Sequence, residues 1–250
     1  MKVSIITVTW NSEETLEETI LSVISQTYHD IEFIVVDGMS TDNTKAIIEK
    51  YRDHISVFIS EKDKGIYDAI NKGIELATGG IIAILHSDDM YFNEQVIGDV
   101  VATMTKTQTD ACYGNLVYVD RRNTSKVLRF WHSGAYRKNL FLKGWMAPHP
   151  AFFIKKWCYD QYGKYTLALK SSGDYELMLR MLHKHCVSVS YINKVLVKMR
   201  AGGTSNVTLK NRIRGNREDY KAWEMNGLKP GMLTLIRKPL SKLKQYLLRP

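Results

Sequence analysis

The stretch IYDAINKGIELATGGIIAILHSDD, residues 66–89, decides the fold. Its first half puts Ile66, Ala69, Ile70, Gly73, Ile74 and Ala77 on one helical face. Gly79-Gly80 then ends the helix, because glycine accepts the backbone that a helix terminus needs. Ile81–Leu85 follows as an almost wholly apolar run, the pattern of a strand covered on both faces. That strand delivers His86-Ser87-Asp88-Asp89 to its carboxyl end.

The same alternation extends back to the start of the chain. Val3–Thr9 and Ile31–Asp37 are short apolar, β-branched runs, and Ile55–Ser60 alternates. Between them Leu16, Ile20, Val23 and Ile24 share a helical face, with Ser12 as the expected N-cap and Glu13 and Glu14 in the first turn. Thr41 or Asp42 caps a second helix carrying Ala46, Ile47 and Tyr51. Three strand–helix units and a closing strand imply right-handed crossovers and a parallel sheet. In such sheets ligands gather at the carboxyl ends of the strands. There the sequence places Thr9-Trp10-Asn11, Asp37-Gly38, Glu61-Lys62-Asp63 and His86-Ser87-Asp88-Asp89.

The second half is less regular. Strands are expected at Ala111–Asp120, Phe152–Ile154 and Val187–Ile192. A helix is expected over Asp174–Lys184, with Leu177, Met178, Met181 and Leu182 on its apolar side. The fold class is thus α/β: a Rossmann-like, mainly parallel central sheet with helices on both faces and a short helical C-terminal extension. One domain spans 1–220, in halves 1–100 and 101–220, and a basic amphipathic tail covers 221–250.

Composition narrows the function. Residues 1–100 carry 7 Lys+Arg and 18 Asp+Glu, whereas residues 101–250 carry 28 and 8. The basic second half suits an anionic partner such as a phospholipid surface or a diphosphate. No nucleic-acid module is recognisable, so nucleic acid is not an expected partner. No run approaches the roughly 20 apolar residues that span a bilayer. The opening apolar run, Val3–Trp10, ends at Asn11-Ser12-Glu13-Glu14 and does not read as a signal peptide, so a cytoplasmic chain is expected. Cys112, Cys158 and Cys186 are too few and too scattered for a disulfide framework or a zinc site.

A nucleotide-binding sheet commonly carries a glycine-rich phosphate loop after strand one. Here Thr9-Trp10-Asn11-Ser12-Glu13 stands there instead, with no GxGxxG and no P-loop lysine, which argues against dinucleotide redox chemistry and ATP hydrolysis. Adjacent carboxylates at Asp88 and Asp89 can neutralise phosphates through a divalent cation, and hard oxygen ligands suit Mn²⁺ or Mg²⁺. Taken alone, such a pair is equally well a turn.

The chain resembles the family 2 glycosyltransferases, which have the GT-A fold. The resemblance is carried by Ser4–Asn11, Ser25-Gln26-Thr27-Tyr28, Ile34–Thr44, Asp63–Gly73 and Ser87-Asp88-Asp89, in the family's order and spacing. Pro148–Phe153, Ser172–Leu177 and Ala201–Ser205 continue it, so that it covers about residues 2–220. The pattern is most similar to the bacterial branch that builds O-antigen, capsule and colanic-acid-like exopolysaccharides. The resemblance makes 1–100 the nucleotide-binding half and 101–220 the acceptor-binding half.

It also implies the site. Asp37 reads the uracil ring; Thr9 and Asn11 shape the base and ribose pocket; Lys64, Asp68 and Asn71 lie near the phosphates and donor sugar. Asp88 binds ribose and supports the metal, and Asp89 is its direct ligand. His86 stands where many members have an acid or asparagine. Asp174, which a helix N-cap would also explain, is the general base, ionised at neutral pH like an ordinary aspartate. Arg200 and Gly203 belong to a loop over the diphosphate, and Trp145 and His149 contact the acceptor. The implied activity is inverting transfer of a hexose or N-acetylhexosamine from a UDP-sugar to a polyprenyl diphosphate-linked saccharide. The implied setting is the inner face of the bacterial membrane, bound peripherally, with homodimer formation left open. A metal-dependent nucleotidyltransferase and a non-catalytic sugar-nucleotide-binding subunit are the competing readings. The first lacks its glycine-rich loop here, and the second is disfavoured by the retention of Asp89 and Asp174.

Overall fold

A computed structural model describes residues 1–202, 209–231, 234 and 245. The alternation read from the first 90 residues becomes β1 (Val3–Thr9), α1 (Leu16–Ile24), β2 (Ile31–Asp37), α2 (Thr44–Lys50), β3 (Val57–Ser60), α3 (Ile66–Leu76) and β4 (Ile81–Ile84). These strands pair in the order β3-β2-β1-β4, all parallel. Side-chain alternation along them feeds two cores. Ile6, Val8, Ile34, Val36, Ile82 and Ile84 face one layer with Ile70 and Ile74 of α3. Val3, Ile5, Phe33, Val35, Ile81 and Ala83 face the other, with Leu16 and Ile20 of α1. A strand buried on both faces needs this continuous apolar run, which is why the sequence pattern was so clear. Gly73 lets α3 approach β1 closely: a Cβ there would lie 2.3 Å from Ile6 Cγ2.

The chain continues through β5 (Asp89–Tyr91), α4 (Val96–Thr107), β6 (Ala111–Val119), β7 (Val127–Trp131), β8 (Phe152–Lys155), α5 (Lys156–Tyr162), α6 (Gly173–Met178), β9 (Val189–Arg200) and α7 (Leu209–Met225). The sheet extends as β4-β8-β6-β9-β5, with β7 on β6. It becomes mixed here: β8 is antiparallel to β4 and β6, β9 is parallel to β6, and β5 is antiparallel to β9. The wholly parallel order therefore belongs to the first half of the chain, and the second half is mixed.

Several local expectations change. Ser12 does not cap α1 with its side chain. Its carbonyl receives Thr15 and Leu16 N–H, while its hydroxyl lies 2.8 Å from that of Ser87. Asp42 does serve the start of α2, its Oδ1 accepting Thr44 N–H at 3.0 Å. Ser172, not Asp174, flanks α6, so Asp174 sits within the first turn. The expected helix 174–184 splits into α6 and a π-helical segment, Leu179–Lys184. The strand expected at 187–192 runs on to Arg200.

α7 runs across residue 220, where the domain was expected to give way to the tail. Trp223 is fully buried and its Nε1–H donates to Tyr175 Oη at 2.9 Å. Two described residues of the tail also touch the domain. Thr234 Oγ1 donates to Leu142 O at 2.8 Å, and Gln245 Oε1 accepts from Arg129 Nε at 2.8 Å.

Candidate active site

Parallel register aligns the strand ends. Thr9 pairs with Asp37 and Asp37 with Ser60, so their following residues emerge at one edge. Thr9 is buried, its carbonyl accepts Gly38 N–H at 2.9 Å, and its Oγ1 has no hydrogen-bond partner. Asn11 takes left-handed backbone, φ 48°, a conformation asparagine tolerates better than most residues. Its Oδ1 accepts Thr41 N–H at 2.9 Å and its own N–H donates to Ser40 Oγ at 2.9 Å. Asn11 thus ties the loop after β1 to the loop after β2.

Asp37 is wholly buried. Its oxygens accept Ser40 N–H at 3.2 and 3.1 Å, the Ser40 hydroxyl, and the Ser60 hydroxyl at 2.6 Å. A carboxylate offers about four lone-pair sites, so Asp37 is largely committed to bracing the edge. Asp63, just past the end of the following strand, is a further carboxylate at this edge, beyond the site residues expected from sequence. A Cβ on Gly38 would lie 2.7 Å from Asp63 Oδ2 and 3.5 Å from Trp10 Cδ1. Asp63 and the exposed indole of Trp10 thus converge above the turn.

Lys64 is exposed at the start of α3, and its N–H donates to Asp68 Oδ2 at 2.9 Å. Asn71 is tied to Tyr165: its amide donates to Tyr165 O at 2.8 Å and accepts Tyr165 N–H at 2.9 Å. The side chain anchors the segment before α6 through that backbone pair. Trp145 lies among Tyr113, Tyr136 and Phe141, with its Nε1–H on Ser133 O at 2.8 Å. Gly203 lies outside the described residues.

The turn after β4 carries the paired carboxylates. Asp89 N–H donates to His86 O at 3.0 Å, and Thr19 Oγ1 donates to Asp89 O at 2.7 Å. Arg200 is almost completely buried beneath this turn, with Nη1 on Asp88 O at 2.9 Å and Nη2 on Glu18 Oε2 at 2.7 Å. These contacts tie its guanidinium to the turn. Asp89 is fully buried and neither carboxylate oxygen has a hydrogen-bond partner. Burial and the neighbouring Asp88 push its pKa well above the usual aspartate range; the charge of Arg200, and its backbone amide, which approaches without reaching hydrogen-bond geometry, offset this only in part. Asp88 is half-buried and also raised, chiefly by burial, with Arg121 and Arg200 opposing.

Asp174 is reached from two sides. Its Oδ2 lies 3.1 Å from His149 Nδ1, and Tyr67 Oη donates to Oδ1 at 3.4 Å. Tyr67 also accepts Gly173 N–H at 2.9 Å, and its ring would collide with a Cβ on Gly173 at 2.7 Å. Gly173, having no Cβ, lets the Tyr67 ring sit against the start of α6. His149 Nε2 lies 3.3 Å from His86 Nε2. His86 is held neutral: burial lowers its pKa to about 3, His149 adding to the effect and Asp174 opposing it.

The sequence and the fold have known counterparts. The model of the family described as "Glycosyl transferase family 2" matches residues 4–157. The chain belongs to that family. A glycosyltransferase of PGL/p-HBAD biosynthesis from Mycobacterium bovis is 28% identical over 208 residues, covering 81% of this chain and 78% of that protein. Among solved structures, S. aureus TarS in complex with UDP-GlcNAc aligns with a TM-score of 0.70 at 20% identity, over 90% of this chain. The match spans 65% of the TarS chain. The mannosyltransferase PcManGT of Pyrobaculum calidifontis, in complex with GDP-Man and Mn²⁺, aligns with a TM-score of 0.65 at 18% identity, over 98% of this chain and 69% of its own. Both likenesses concern the GT-A fold.

For this family 2 glycosyltransferase the metal question turns on Asp88 and Asp89. Two buried carboxylate oxygens without donors are what a cation-binding residue leaves behind, and a cation would offset both the burial and the Asp88–Asp89 repulsion. Among the described residues no three His, Cys, Asp or Glu side chains form a ready-made cage. The donor set fits a cation that takes its remaining ligands from a bound diphosphate.

Proposed function

We propose that this chain is a metal-dependent, inverting glycosyltransferase. It takes a hexose or N-acetylhexosamine from a UDP-sugar and adds it to a polyprenyl diphosphate-linked saccharide in bacterial surface polysaccharide synthesis. The observation that carries the reading is the buried, donor-free carboxylate of Asp89 beside Asp88 on the strand edge that also bears Asn11, Asp37 and Asp63. No helix among the described residues is long and apolar enough to cross a membrane. The proposed location is therefore peripheral, at the inner membrane surface, through the basic residues of the second half.

Asp37 and Asn11 shape the base subsite, with Asp63 and Trp10 at its mouth. Asp89 and Asp88 would hold a divalent cation, Mn²⁺ or Mg²⁺, which would supply Lewis-acid neutralisation of the leaving diphosphate. Asp174 accepts the proton of the acceptor hydroxyl as that oxygen bonds to the anomeric carbon and the carbon–oxygen bond to the diphosphate breaks. Such a base is worth about 10² to 10⁴ in rate.

The test is a thermal-shift panel of nucleotide sugars with Mn²⁺. A ligand at 100 times its Kd stabilises by about 2.7 kcal/mol. UDP-sugars should raise Tm in wild type and not in Asp89→Ala, and Asp174→Asn should bind donor yet lose transfer. A flat response to every UDP-sugar, with a response to GDP-mannose, would overturn the donor assignment. Transfer surviving in Asp174→Asn would remove the base.

A further inference from the structure

His149 was expected to contact the acceptor, and His86 had no assigned role. Their geometry gives them a joint one. Both ring nitrogens of His149 are engaged: Nδ1 at 3.1 Å from Asp174 Oδ2, and Nε2 at 3.3 Å from His86 Nε2. The remaining nitrogen, His86 Nδ1, is buried with no partner.

That orphan decides the protons. Were His149 protonated on both nitrogens, His86 Nε2 would have to accept, and its proton would sit on Nδ1 as a buried N–H without an acceptor. Orphaned buried donors are rare and costly. In the alternative, His149 carries its proton on Nδ1 and donates to Asp174. His86 Nε2–H then donates to His149 Nε2, leaving only an unfilled acceptor at Nδ1. The tautomer of a histidine is set by the hydrogen bond its other nitrogen makes. The frame is stiff at both ends. His149 sits between Pro148 and Pro150 at the start of a 3₁₀ turn leading into β8, and His86 belongs to the hydrogen-bonded turn that carries Asp88 and Asp89.

We propose that His149 and His86 are positioning residues for transfer: His86 fixes the tautomer of His149, and His149 in turn holds the carboxylate of Asp174 in its working orientation. This rests on Asp174 being the base. It replaces acceptor contact as the task of His149 and links the base to the cation-bearing turn through two hydrogen bonds.

The experiment uses the full chain labelled with ¹⁵N-histidine, together with turnover of UDP-GlcNAc in Mn²⁺, read as UDP release with water as acceptor. Wild type should show His149 protonated at Nδ1 and bare at Nε2, with His86 the reverse. His86→Leu should abolish that signature and lower kcat about 10- to 100-fold, the scale of a misplaced reacting group, with KM for the donor little changed. His86→Gln, whose amide N–H can stand where Nε2–H stood, should recover most of the loss. In a His149→Asn background, which keeps a donor for Asp174, adding His86→Leu should cost nothing more. His149 protonated at Nε2 in the wild type would overturn the proposal even in the absence of turnover, and so would equal losses in His86→Leu and His86→Gln. If Asp174→Asn keeps full turnover, the base assignment fails instead, whatever the histidine spectra show.

Discussion

Replacing Asp89 by asparagine should make the metal-free protein more stable and the metal-bound protein less stable than wild type. The carboxylate is fully buried, lacks any hydrogen-bond donor and has a strongly raised pKa. A buried polar group without a partner costs about 1–3 kcal/mol. The asparagine amide retains part of that cost, so the expected gain is about 1 kcal/mol, or about 2–4 °C in Tm for a chain of this length. The sign with pH follows from linkage. A carboxyl whose folded pKa lies above its unfolded value, near 3.8, is protonated in both states at low pH and costs nothing there. As pH rises through the unfolded value the unfolded chain sheds its proton first, so wild-type stability falls until the folded pKa is passed. The Tm difference between variant and wild type should therefore be small at pH 4 and open steadily toward pH 8; other carboxyls cancel in the comparison. With Mn²⁺ and UDP at 100 times Kd, wild type should gain about 2.7 kcal/mol and the variant almost none, which reverses the order. Differential scanning calorimetry with and without Mn²⁺-UDP measures both effects. An Asn variant less stable than wild type without metal, a pH-independent gap, or a retained metal-dependent shift would each refute the reasoning.

Three further substitutions probe the frame. Trp223→Ala removes a fully buried ring and its hydrogen bond to Tyr175; urea denaturation should show a loss of about 3–5 kcal/mol, and a loss below 1 kcal/mol would mean that α7 is not integral to the domain. Gly173→Ala forces a methyl into the Tyr67 ring, costing about 1–3 kcal/mol and lowering turnover by displacing Tyr67 from Asp174; unchanged Tm and kcat would contradict that close approach. Asp63→Ala should weaken UDP binding about 10-fold, the worth of one charge-assisted hydrogen bond, with no change in Mn²⁺ dependence; an unchanged Kd by calorimetry would leave the base to Asp37 alone.

The parallel half of the fold was legible because its strands are covered on both faces and its helices carry one apolar stripe; both leave strong local periodicity. Three of the elements that escaped have no such signature. β5 is only three residues long, and β7 begins with the exposed Val127 and Leu128. α7 is anchored by Ala222 and Trp223 near its end, and is polar over most of its length. The site divides in the same way. That Asp37 and Asp89 stand at strand ends is a local fact. That Asp37 is filled by Ser40 and Ser60, that Asn71 is tied to Tyr165, and that His86 meets His149 are contacts between residues up to 94 apart in sequence, for which periodicity carries no information.

The charge asymmetry shows most clearly what a sequence cannot apportion. An acidic first hundred residues and a basic remainder were read as pointing outward, to an anionic partner. Part of that complementarity closes within the molecule. Arg121 pairs with Glu14 at 3.2 Å, Arg200 with Glu18 at 2.7 Å and Lys194 with Asp99 at 2.8 Å, and Lys164 pairs with Glu75. Each contact joins the two halves. The Arg200 pair differs from the others, because its guanidinium is almost completely buried and also grips the Asp88 carbonyl. The exposed pairs are worth roughly 0–1 kcal/mol each. Breaking the Arg200 contact by Glu18→Ala would leave a buried cation with one partner fewer, next to the turn that carries Asp88 and Asp89. Glu18→Ala should therefore disturb Mn²⁺-dependent UDP binding, while Glu14→Ala, in the turn just before the same helix, should not. Equal effects from the two would mean that the second half's charge serves the donor site only through the summed field, and that the particular grip of Arg200 on the turn is immaterial.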